Sequence, residues 1–500
     1  MELSGPVMIT GRDKVETTRD NGIVRRASWL LAGQTIGDVG LFFYFLLLAR
    51  TFGATGIGDY SFAFAVASFF TLGVSFGLRD LITRRVARTP EEAPDIATSI
   101  ILTQAALSII MLVALLLFAR ALDYTDTLTG YLVLAFSALS LYAIGITFTA
   151  CLEAVGAMNL SAMAGLIQKG VIVVLGTALI LGDASLATVM FAHVLAGVVY
   201  LGAGWRWMRR RFGRFHLTYR PKLARAIFLA ALPFLATSAL WQIYSRVDIV
   251  MLHLVRGDVE TGLYASAYKM ISAPLIVAAL VGVAVFPSLV RSFAADRSEM
   301  NQVFRETMRA LAVLGLAGGV LLLTAGDGLQ VMLFGAEFAE SGRLVRLMVP
   351  LFVLEFLMVP LWRLLLAMNR ERTLLLLRLG SVGLNIGLNL FLIPAFGATG
   401  AVVSSLTSEG LLALAQFTLC WRVVPSPFGG RGVALAFVGL AAGAVGLVAR
   451  ILLPWPLAAL AAGVIFAALV FALRIVRLTE IRELLRKADL SRTAGMEGAR

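Results

Sequence analysis

Eight ionisable side chains inside long apolar stretches are the residues of this chain best suited to chemistry. Four are acidic and four are basic: Asp38, Asp248, Glu355 and Glu409, and Lys169, Arg246, Lys269 and Arg363. An ionised group in hydrocarbon costs about 2.5–3.5 kcal/mol, so such residues usually face a cavity or a partner. A carboxylate in a partly dry cavity can exchange protons near neutral pH, and one kept ionised by a nearby positive charge can hold Na⁺. We therefore predict that the four acids couple the protein to an ion gradient, the alternative being structural salt bridges between helices.

The segments that carry these side chains are long and apolar enough to cross a membrane. Of the 500 residues, 59% are hydrophobic and 15% are charged, against about 25% charged in soluble domains. A helix satisfies its own backbone hydrogen bonds in lipid. The sequence predicts an all-α polytopic membrane protein with about 14 spans of about 20 residues or more. The predicted helices are 27–49, 59–78, 98–119, 130–152, 160–182, 185–205, 226–254, 262–289, 310–326, 344–367, 374–393, 398–421, 432–453 and 456–473.

The sequence also argues against several classes of function. The two cysteines, Cys151 and Cys420, fall in apolar segments and provide neither a disulfide framework nor a Cys/His metal site. No G-x-x-x-x-G-K-S/T phosphate loop is present, so the chain carries no ATPase of its own. The longest predicted outer loop, near 326–343, is too short for a catalytic domain. We therefore expect no enzyme activity, no cofactor and no bound metal.

Basic residues mark one side of the membrane. The stretch 206–225 carries a dense run of arginine and lysine, and the loop after the second predicted helix is also basic, whereas loops of the opposite parity hold only scattered arginines. Positive loops stay in the cytoplasm, so we predict that both termini are cytoplasmic. The formal net charge of +13 is thus a topology signal, and we expect no nucleic-acid partner.

Two short motifs each occur twice. The pattern G-x-Y-x-x-A occupies 58–63 and 262–267, and the pentapeptide F-G-A-T-G occupies 52–56 and 396–400, in predicted outer turns. Their parallel placement predicts two lobes of six helices, as in transporters built from repeated bundles. The predicted divisions are a cytoplasmic N-terminal segment at 1–26, an N-lobe at 27–205, a basic linker at 206–225, a C-lobe at 226–421, a helix pair at 432–473 and a basic cytoplasmic tail at 474–500.

Several longer stretches resemble those of a known group of membrane proteins. Arg246–Leu252, with an Asp near the end of a helix, precedes Thr261–Lys269, which reads Gly-x-Tyr, then small and basic residues. Leu333–Phe338 and Leu392–Ala401 are further matches before and between later helices. In these features and in the order of its elements the chain resembles the MOP superfamily, and within it the Wzx-type polysaccharide flippases.

The resemblance implies a fold and an activity. Such proteins form two lobes in a V shape around a central cavity. They move an undecaprenyl-diphosphate-linked oligosaccharide from the cytoplasmic to the outer leaflet of the plasma (inner) membrane by alternating access. Related branches flip lipid II or export drugs coupled to cations, and a non-transporting scaffold for glycan assembly is a further alternative. Drug exporters usually have twelve helices, so the predicted fourteen favour a lipid-linked substrate.

The resemblance also suggests roles for individual residues. A diphosphate in a low-dielectric cavity needs positive charge, which Arg supplies in bidentate form and Lys as a point charge. We predict that Arg246, Lys269 and Lys169 line the cavity and bind the diphosphate, the alternative being that they pair with the acids. Asn385 and Asn389 share a helix face and are predicted to contact sugar hydroxyls or, alternatively, another helix.

The implied partners follow from this activity. They are the lipid-linked glycan, Na⁺ or H⁺, membrane lipids and polysaccharide-assembly proteins. Two further residues have structural expectations only. Arg363, near the cytoplasmic end of its helix, is expected to extend its side chain to the interface. The lone His193 of the sixth predicted helix is expected to be a buried side chain with a hydrogen-bond partner.

Overall fold

The computed structural model describes the backbone of residues 12–213, 219–428 and 430–475, and the side chains of this range from residue 33 onward except residue 34. Within these residues the chain folds into α-helices and two short 3₁₀ turns, with no β-strand. The α-helices are α1 Arg12–Ser75, α2 Leu78–Arg88, α3 Ala93–Ala121, α4 Asp126–Ala154, α5 Met158–Leu181, α6 Leu186–Phe212, α7 Pro221–Arg256, α8 Asp258–Ser272, α9 Leu275–Ala295, α10 Arg297–Phe334, α11 Ser341–Ala367, α12 Glu371–Phe396, α13 Ala398–Trp421, α14 Gly432–Leu452 and α15 Trp455–Ala472.

Among the described residues, 13 helical stretches are long and apolar enough to cross a membrane. The first, Thr35–Arg88, has 54 residues, and a helix of that length would extend about 80 Å at 1.5 Å per residue. Gly53 interrupts it with φ 66° and ψ −169°. Because the hydrocarbon core is about 30 Å thick, this stretch makes two crossings, which matches the two predicted helices at 27–49 and 59–78. The prediction of an all-α polytopic membrane protein is confirmed.

The repeated pentapeptide is also a repeat of backbone conformation. Its glycine has φ 66° at Gly53 and φ 58° at Gly397, with ψ −169° and −134°. Two further turns between helices contain a glycine of similar conformation, Gly257 and Gly335. This region of positive φ and extended ψ is essentially restricted to glycine. Gly53, Gly257 and Gly397 therefore each let one helix end and the next begin directly, whereas Gly335 leads into a short 3₁₀ turn before α11.

Two predicted helices differ from the observed ones. The predicted helix 262–289 is broken near Pro274 into α8 and α9, since proline cannot donate the backbone hydrogen bond that a continuous helix requires. The predicted helix 310–326 is the middle of the much longer α10. Its first turns are amphipathic, and Met300, Phe304 and Met308 recur every fourth residue and are fully buried in a hydrophobic cluster. Hydropathy alone misses them because charged residues stand between them.

The described residues pack as two units, one extending to His253 and the other starting at Leu254. In the first unit, α2 lies against α4 and α3, and its buried residues Leu78, Ile82 and Val86 share a cluster with Cys151. The apolar residues of α2 recur every fourth position, so this short helix buries one face and exposes Arg79, Arg84 and Arg88. The predicted lobe boundaries, with a linker at 206–225, stay a prediction.

In the second unit, the last two helices pack against α10. Val320 of α10, Val438 of α14 and Phe466 of α15 belong to one buried cluster. A Cβ on Gly446 would lie 2.0 Å from the Thr324 methyl carbon, so the absence of a side chain lets α14 approach α10 closely. The helix pair is therefore an integral part of this unit's core.

Candidate functional site

In the first unit, the structure brings together one predicted cation and one predicted acid. Lys169 Nζ of α5 lies 2.6 Å from Asp38 Oδ1 of α1, and the side chains are 19% and 50% exposed. Gly37 makes this geometry accessible, because a Cβ there would lie 2.4 Å from Lys169 Cδ. The lysine stem thus crosses the first helix where Gly37 leaves room for it. The pair neutralises both charges while half of the Asp38 side chain stays accessible.

The two predicted residues of α7 lie on different sides of that helix. Asp248 is buried together with Ile249 and Leu252, whereas Arg246 is exposed. Residues two apart are separated by about 200° around an α-helix, so they cannot share a face. Asp248 therefore belongs to the packed interior, and the Arg246 guanidinium is accessible to a solute or a lipid.

The lone histidine of α6 is buried and has a partner, as predicted. Its Nε2 lies 3.0 Å from the Tyr60 hydroxyl, and its side chain is 7% exposed. The rings of Tyr44 and Phe64 lie within 6 Å of the imidazole centroid, at 5.7 and 5.1 Å. His193 is thus the polar centre of an aromatic cluster that joins α6 to both halves of α1.

In the second unit, Glu409 of α13 is completely buried and paired. Arg378 Nη1 of α12 lies 2.7 Å from Glu409 Oε1, and the Ser381 hydroxyl donates to the same oxygen at 3.1 Å. Charge-assisted hydrogen bonds of this kind are about twice as strong as neutral ones. Arg378 was not among the predicted site residues, although it lies inside the predicted helix 374–393. The feature that could have identified it is its position as a single arginine one turn into an apolar helix.

The two asparagines of α12 continue this polar face. Asn385 Nδ2 donates to Ser405 Oγ of α13 at 3.4 Å, and Asn389 Nδ2 donates to Asn385 Oδ1 at 3.1 Å. Both side chains are at most 1% exposed. Arg378, Ser381, Asn385 and Asn389 recur at three- and four-residue intervals and so form one stripe. The amides therefore hydrogen-bond at the interface between α12 and α13, which is the alternative that the sequence left open for them.

The remaining predicted residues of the second unit lie on α8 and α11, which pack against each other. Lys269 is in the last turn of α8, where the negative end of the helix dipole favours a cation. It is half-buried, as is Glu355 of α11. Arg363 is also half-buried, and its guanidinium carbon lies 4.6 Å from the Trp362 ring and 5.5 Å from the Phe286 ring. Arg363 is thus held by aromatic rings as well as by its position near a helix end.

Ion pairs of the second unit also join helices near their ends. Asp327 of α10 pairs with Arg346 of α11 and lies 3.6 Å from Arg450 of α14. Arg256 of α7 donates to the backbone carbonyl of Pro394 at 2.8 Å, close to the glycine turn at the end of α12. Over the residues that the structure describes, no group of three His, Cys, Asp or Glu side chains is placed to hold a metal ion.

Comparison of sequences relates the chain to glycan-assembly proteins. The family model described as "Polysaccharide biosynthesis protein" matches residues 23–293, which is more than half of the chain. A probable low-salt glycan biosynthesis flippase, Agl15 of Haloferax volcanii, is 23% identical over 381 residues, covering 75% of this chain and 78% of the relative. A probable flippase of the same organism, AglR, is 29% identical over 180 residues, which are 34% of this chain and 36% of the relative.

Solved structures relate the fold to membrane transporters. The lipid II flippase MurJ in an inward closed conformation superposes with a TM-score of 0.73 at 13% identity, covering 90% of this chain and 99% of that one. An inward-facing multidrug resistance MATE transporter of the MOP superfamily gives a TM-score of 0.61 at 16% identity, covering 79% and 99%. These relatives are flippases and transporters and not catalysts, which agrees with the expectation that the chain is not an enzyme. The fold agrees with the resemblance noted in the sequence, and the family match over more than half of the chain shows that this multi-pass membrane protein belongs to the polysaccharide biosynthesis protein family.

Proposed function

We propose that the protein is a flippase that moves an undecaprenyl-diphosphate-linked oligosaccharide from the cytoplasmic to the outer leaflet by alternating access. The observation that carries this proposal is the alignment of three quarters of the chain with a relative named as a glycan biosynthesis flippase. The order and number of the membrane helices support it, because cation-coupled drug exporters usually have two helices fewer. The lipid-linked glycan and the surrounding lipids are the partners that this activity requires, and polysaccharide-assembly proteins would supply or consume the glycan.

The proposed orientation puts both termini in the cytoplasm of a plasma (inner) membrane protein. It rests on two groups of arginines. Arg79, Arg84, Arg85 and Arg88 lie on α2, and Arg206, Arg209, Arg210 and Arg211 lie at the end of α6. Both groups precede an outward crossing in the proposed topology. Short basic segments near helix ends stay on the cytoplasmic side. A lipid carrier that receives its glycan in the cytoplasmic leaflet would then reach the protein at its basic side.

Three cations are proposed to bind the diphosphate during transfer: Arg246, Lys269 and Lys169. Arg246 is the strongest candidate, because it is exposed on a membrane helix, and an arginine held there without a use would be costly. Lys169 is already held by Asp38 at 2.6 Å. We propose that protons or Na⁺ compete with Lys169 for this carboxylate, so that ion binding frees the lysine for the diphosphate. Glu409 and Asp248, which are buried, and Glu355, which is half-buried, remain proposed ion-coupling residues.

The experiment that tests the function is deletion of the chromosomal copy, followed by extraction of lipid-linked glycan from inside-out and right-side-out membrane vesicles. We expect undecaprenyl-diphosphate oligosaccharide to accumulate in the cytoplasmic leaflet and surface glycan to be lost. Re-expression of the chain should reverse both effects. An unchanged leaflet distribution in the deletion strain would refute the proposal.

The second candidate function is lipid II flipping, which the fold of MurJ favours over drug export. Depletion of the lipid II flippase in the same host separates the two. If expression of this chain restores peptidoglycan synthesis there, lipid II is its substrate. If the chain restores only surface glycan in its own deletion strain, the lipid-linked oligosaccharide is its substrate.

A further inference from the structure

A cavity of about 490 Å³ lies at the basic end of α6. It is lined by Gly202, Trp205, Arg206, Arg209 and Arg210. All five residues are exposed. The three arginines are spaced so that they share one side of the helix. They also occupy its last two turns, where the negative end of the helix dipole favours positive charge.

Gly202 and Trp205 shape this cavity. Nothing lies within 4 Å of the position that a Cβ of Gly202 would occupy, so the missing side chain leaves open space one turn above the indole. The Arg209 guanidinium carbon lies 5.0 Å from the Trp205 ring centroid, and this cation–π contact holds the arginine against the aromatic floor. Tryptophan beside arginine is typical of the level at which a membrane helix leaves the hydrocarbon.

The cavity continues an apolar stripe on the same helix. Phe191, Leu195 and Val198 are 37–50% exposed, and with Gly202 and Trp205 they recur every three or four residues. From the first to the last of these residues the stripe is about 21 Å long at 1.5 Å per residue. One leaflet of the hydrocarbon core is about 15 Å thick, so the stripe is long enough to hold one extended acyl chain.

We propose that this surface of α6 is a binding site for an anionic phospholipid, with the phosphate among the three arginines and an acyl chain along the apolar stripe. The arginines lie at the end of the helix and the apolar stripe extends from them along it, which is the order of the phosphate and the acyl chain in a phospholipid. A soluble phosphate would use only the arginines. An oligosaccharide carrier would leave its glycan outside a cavity of this size. The cytoplasmic leaflet as the location rests on the proposed orientation, but binding itself depends on neither orientation nor transport.

The test uses the full chain in nanodiscs of phosphatidylcholine into which brominated phosphatidylglycerol is titrated. Bromine quenches tryptophan at short range, and the difference between the wild type and Trp205→Phe isolates the signal of that indole from the seven tryptophans. We expect brominated phosphatidylglycerol to quench Trp205 at a much lower mole fraction than brominated phosphatidylcholine. Each arginine at a membrane surface strengthens attraction to anionic lipid about fivefold. The triple variant Arg206→Gln, Arg209→Gln and Arg210→Gln should therefore raise the half-quenching fraction at least about tenfold.

Two further variants distinguish lipid binding at this site from general electrostatic attraction to the protein. Gly202→Leu keeps all three arginines, replaces an exposed helical glycine by a better helix former and fills the cavity, so it should also weaken quenching by the anionic lipid. A control triple, Arg291→Gln, Arg297→Gln and Arg372→Gln, removes the same charge from exposed positions elsewhere and should leave quenching unchanged. Equal loss in the control triple, or equal quenching by both lipids, would overturn the proposal.

Two competition arms identify the ligand. Inorganic phosphate should not displace brominated phosphatidylglycerol, because it makes no contact with the apolar stripe; displacement by phosphate alone would contradict a lipid site. Undecaprenyl phosphate at trace mole fraction should also fail to displace it, and displacement would assign the surface to the substrate carrier instead. Since leaflet transfer is measured separately, failure of the lipid site and failure of the flippase proposal give different results.

Discussion

Arg378 Nη1 lies 2.7 Å from Glu409 Oε1, and the glutamate side chain has no exposed surface. The two residues belong to α12 and α13, whose facing surfaces carry serines and asparagines along the same line. Removing one partner of a buried ion pair leaves the other charge without compensation, which is far more costly than losing the attraction itself. The pair therefore ties the polar stripe of these two helices together.

Arg378→Ala should lower the stability of the protein by about 3 kcal/mol, because it leaves the Glu409 carboxylate in a dry interface. Arg372→Ala, an exposed arginine of the same helix, is the matched control and should change stability little. The measurement is the melting temperature of each purified variant in detergent, with unfolding monitored by tryptophan fluorescence. Equal melting temperatures for both variants would mean that the buried pair contributes no stability.

A second prediction concerns Lys169 and Asp38. The Lys169 ammonium lies 2.6 Å from the Asp38 carboxylate, half of whose side chain stays accessible to an ion. Asp38→Asn should remove the dependence of transport on an ion gradient. Lys169→Gln should lower transport whether or not the gradient is present.

The measurement is leaflet transfer of lipid-linked oligosaccharide in proteoliposomes, with and without an imposed Na⁺ or H⁺ gradient. If both variants transport like the wild type, the pair is structural. If Asp38→Asn retains its gradient dependence while Glu409→Gln loses it, coupling belongs to the second unit.

Arg246 gives a third prediction. It is exposed on α7 while Asp248, two residues further on, is buried. Arg246→Ala should abolish restoration of surface glycan in the deletion strain at normal protein levels, whereas Arg246→Lys should restore part of it, because lysine keeps the charge but loses bidentate phosphate binding. Lys269→Ala should behave like Arg246→Ala. Full complementation by both alanine variants, checked against immunoblots of membrane fractions, would exclude these residues from the transport path.

The sequence predicted the membrane helices well and the pairings poorly. Hydropathy located α13 to the residue, because both of its ends coincide with a change from apolar to polar or glycine-rich sequence. It located only part of α10, whose amphipathic start is masked by arginines. The partners of Lys169 and Glu409 depend on which helices become neighbours, and Asp38 is 131 residues from Lys169. Arg378 was missed because a cation near a predicted helix end resembles an interfacial residue.

The last prediction concerns the glycine turn of the repeated pentapeptide. Gly53 has φ 66° and ψ −169°, where a side chain costs about 1–3 kcal/mol. At Gly397 a Cβ would also meet the Glu260 carboxylate, which is the end of a flexible side chain and can move aside. Gly397→Ala should therefore destabilise the protein by about as much as Gly53→Ala does. Gly130→Ala and Gly383→Ala are the controls. Both positions are inside helices with nothing within 4 Å of the added carbon, so alanine should stabilise each helix by up to about 1 kcal/mol.

Melting temperatures of the four variants in one detergent test the order. If Gly53→Ala melts no lower than Gly130→Ala, the first turn tolerates a side chain, and the pentapeptide repeat does not reflect a shared need for positive φ.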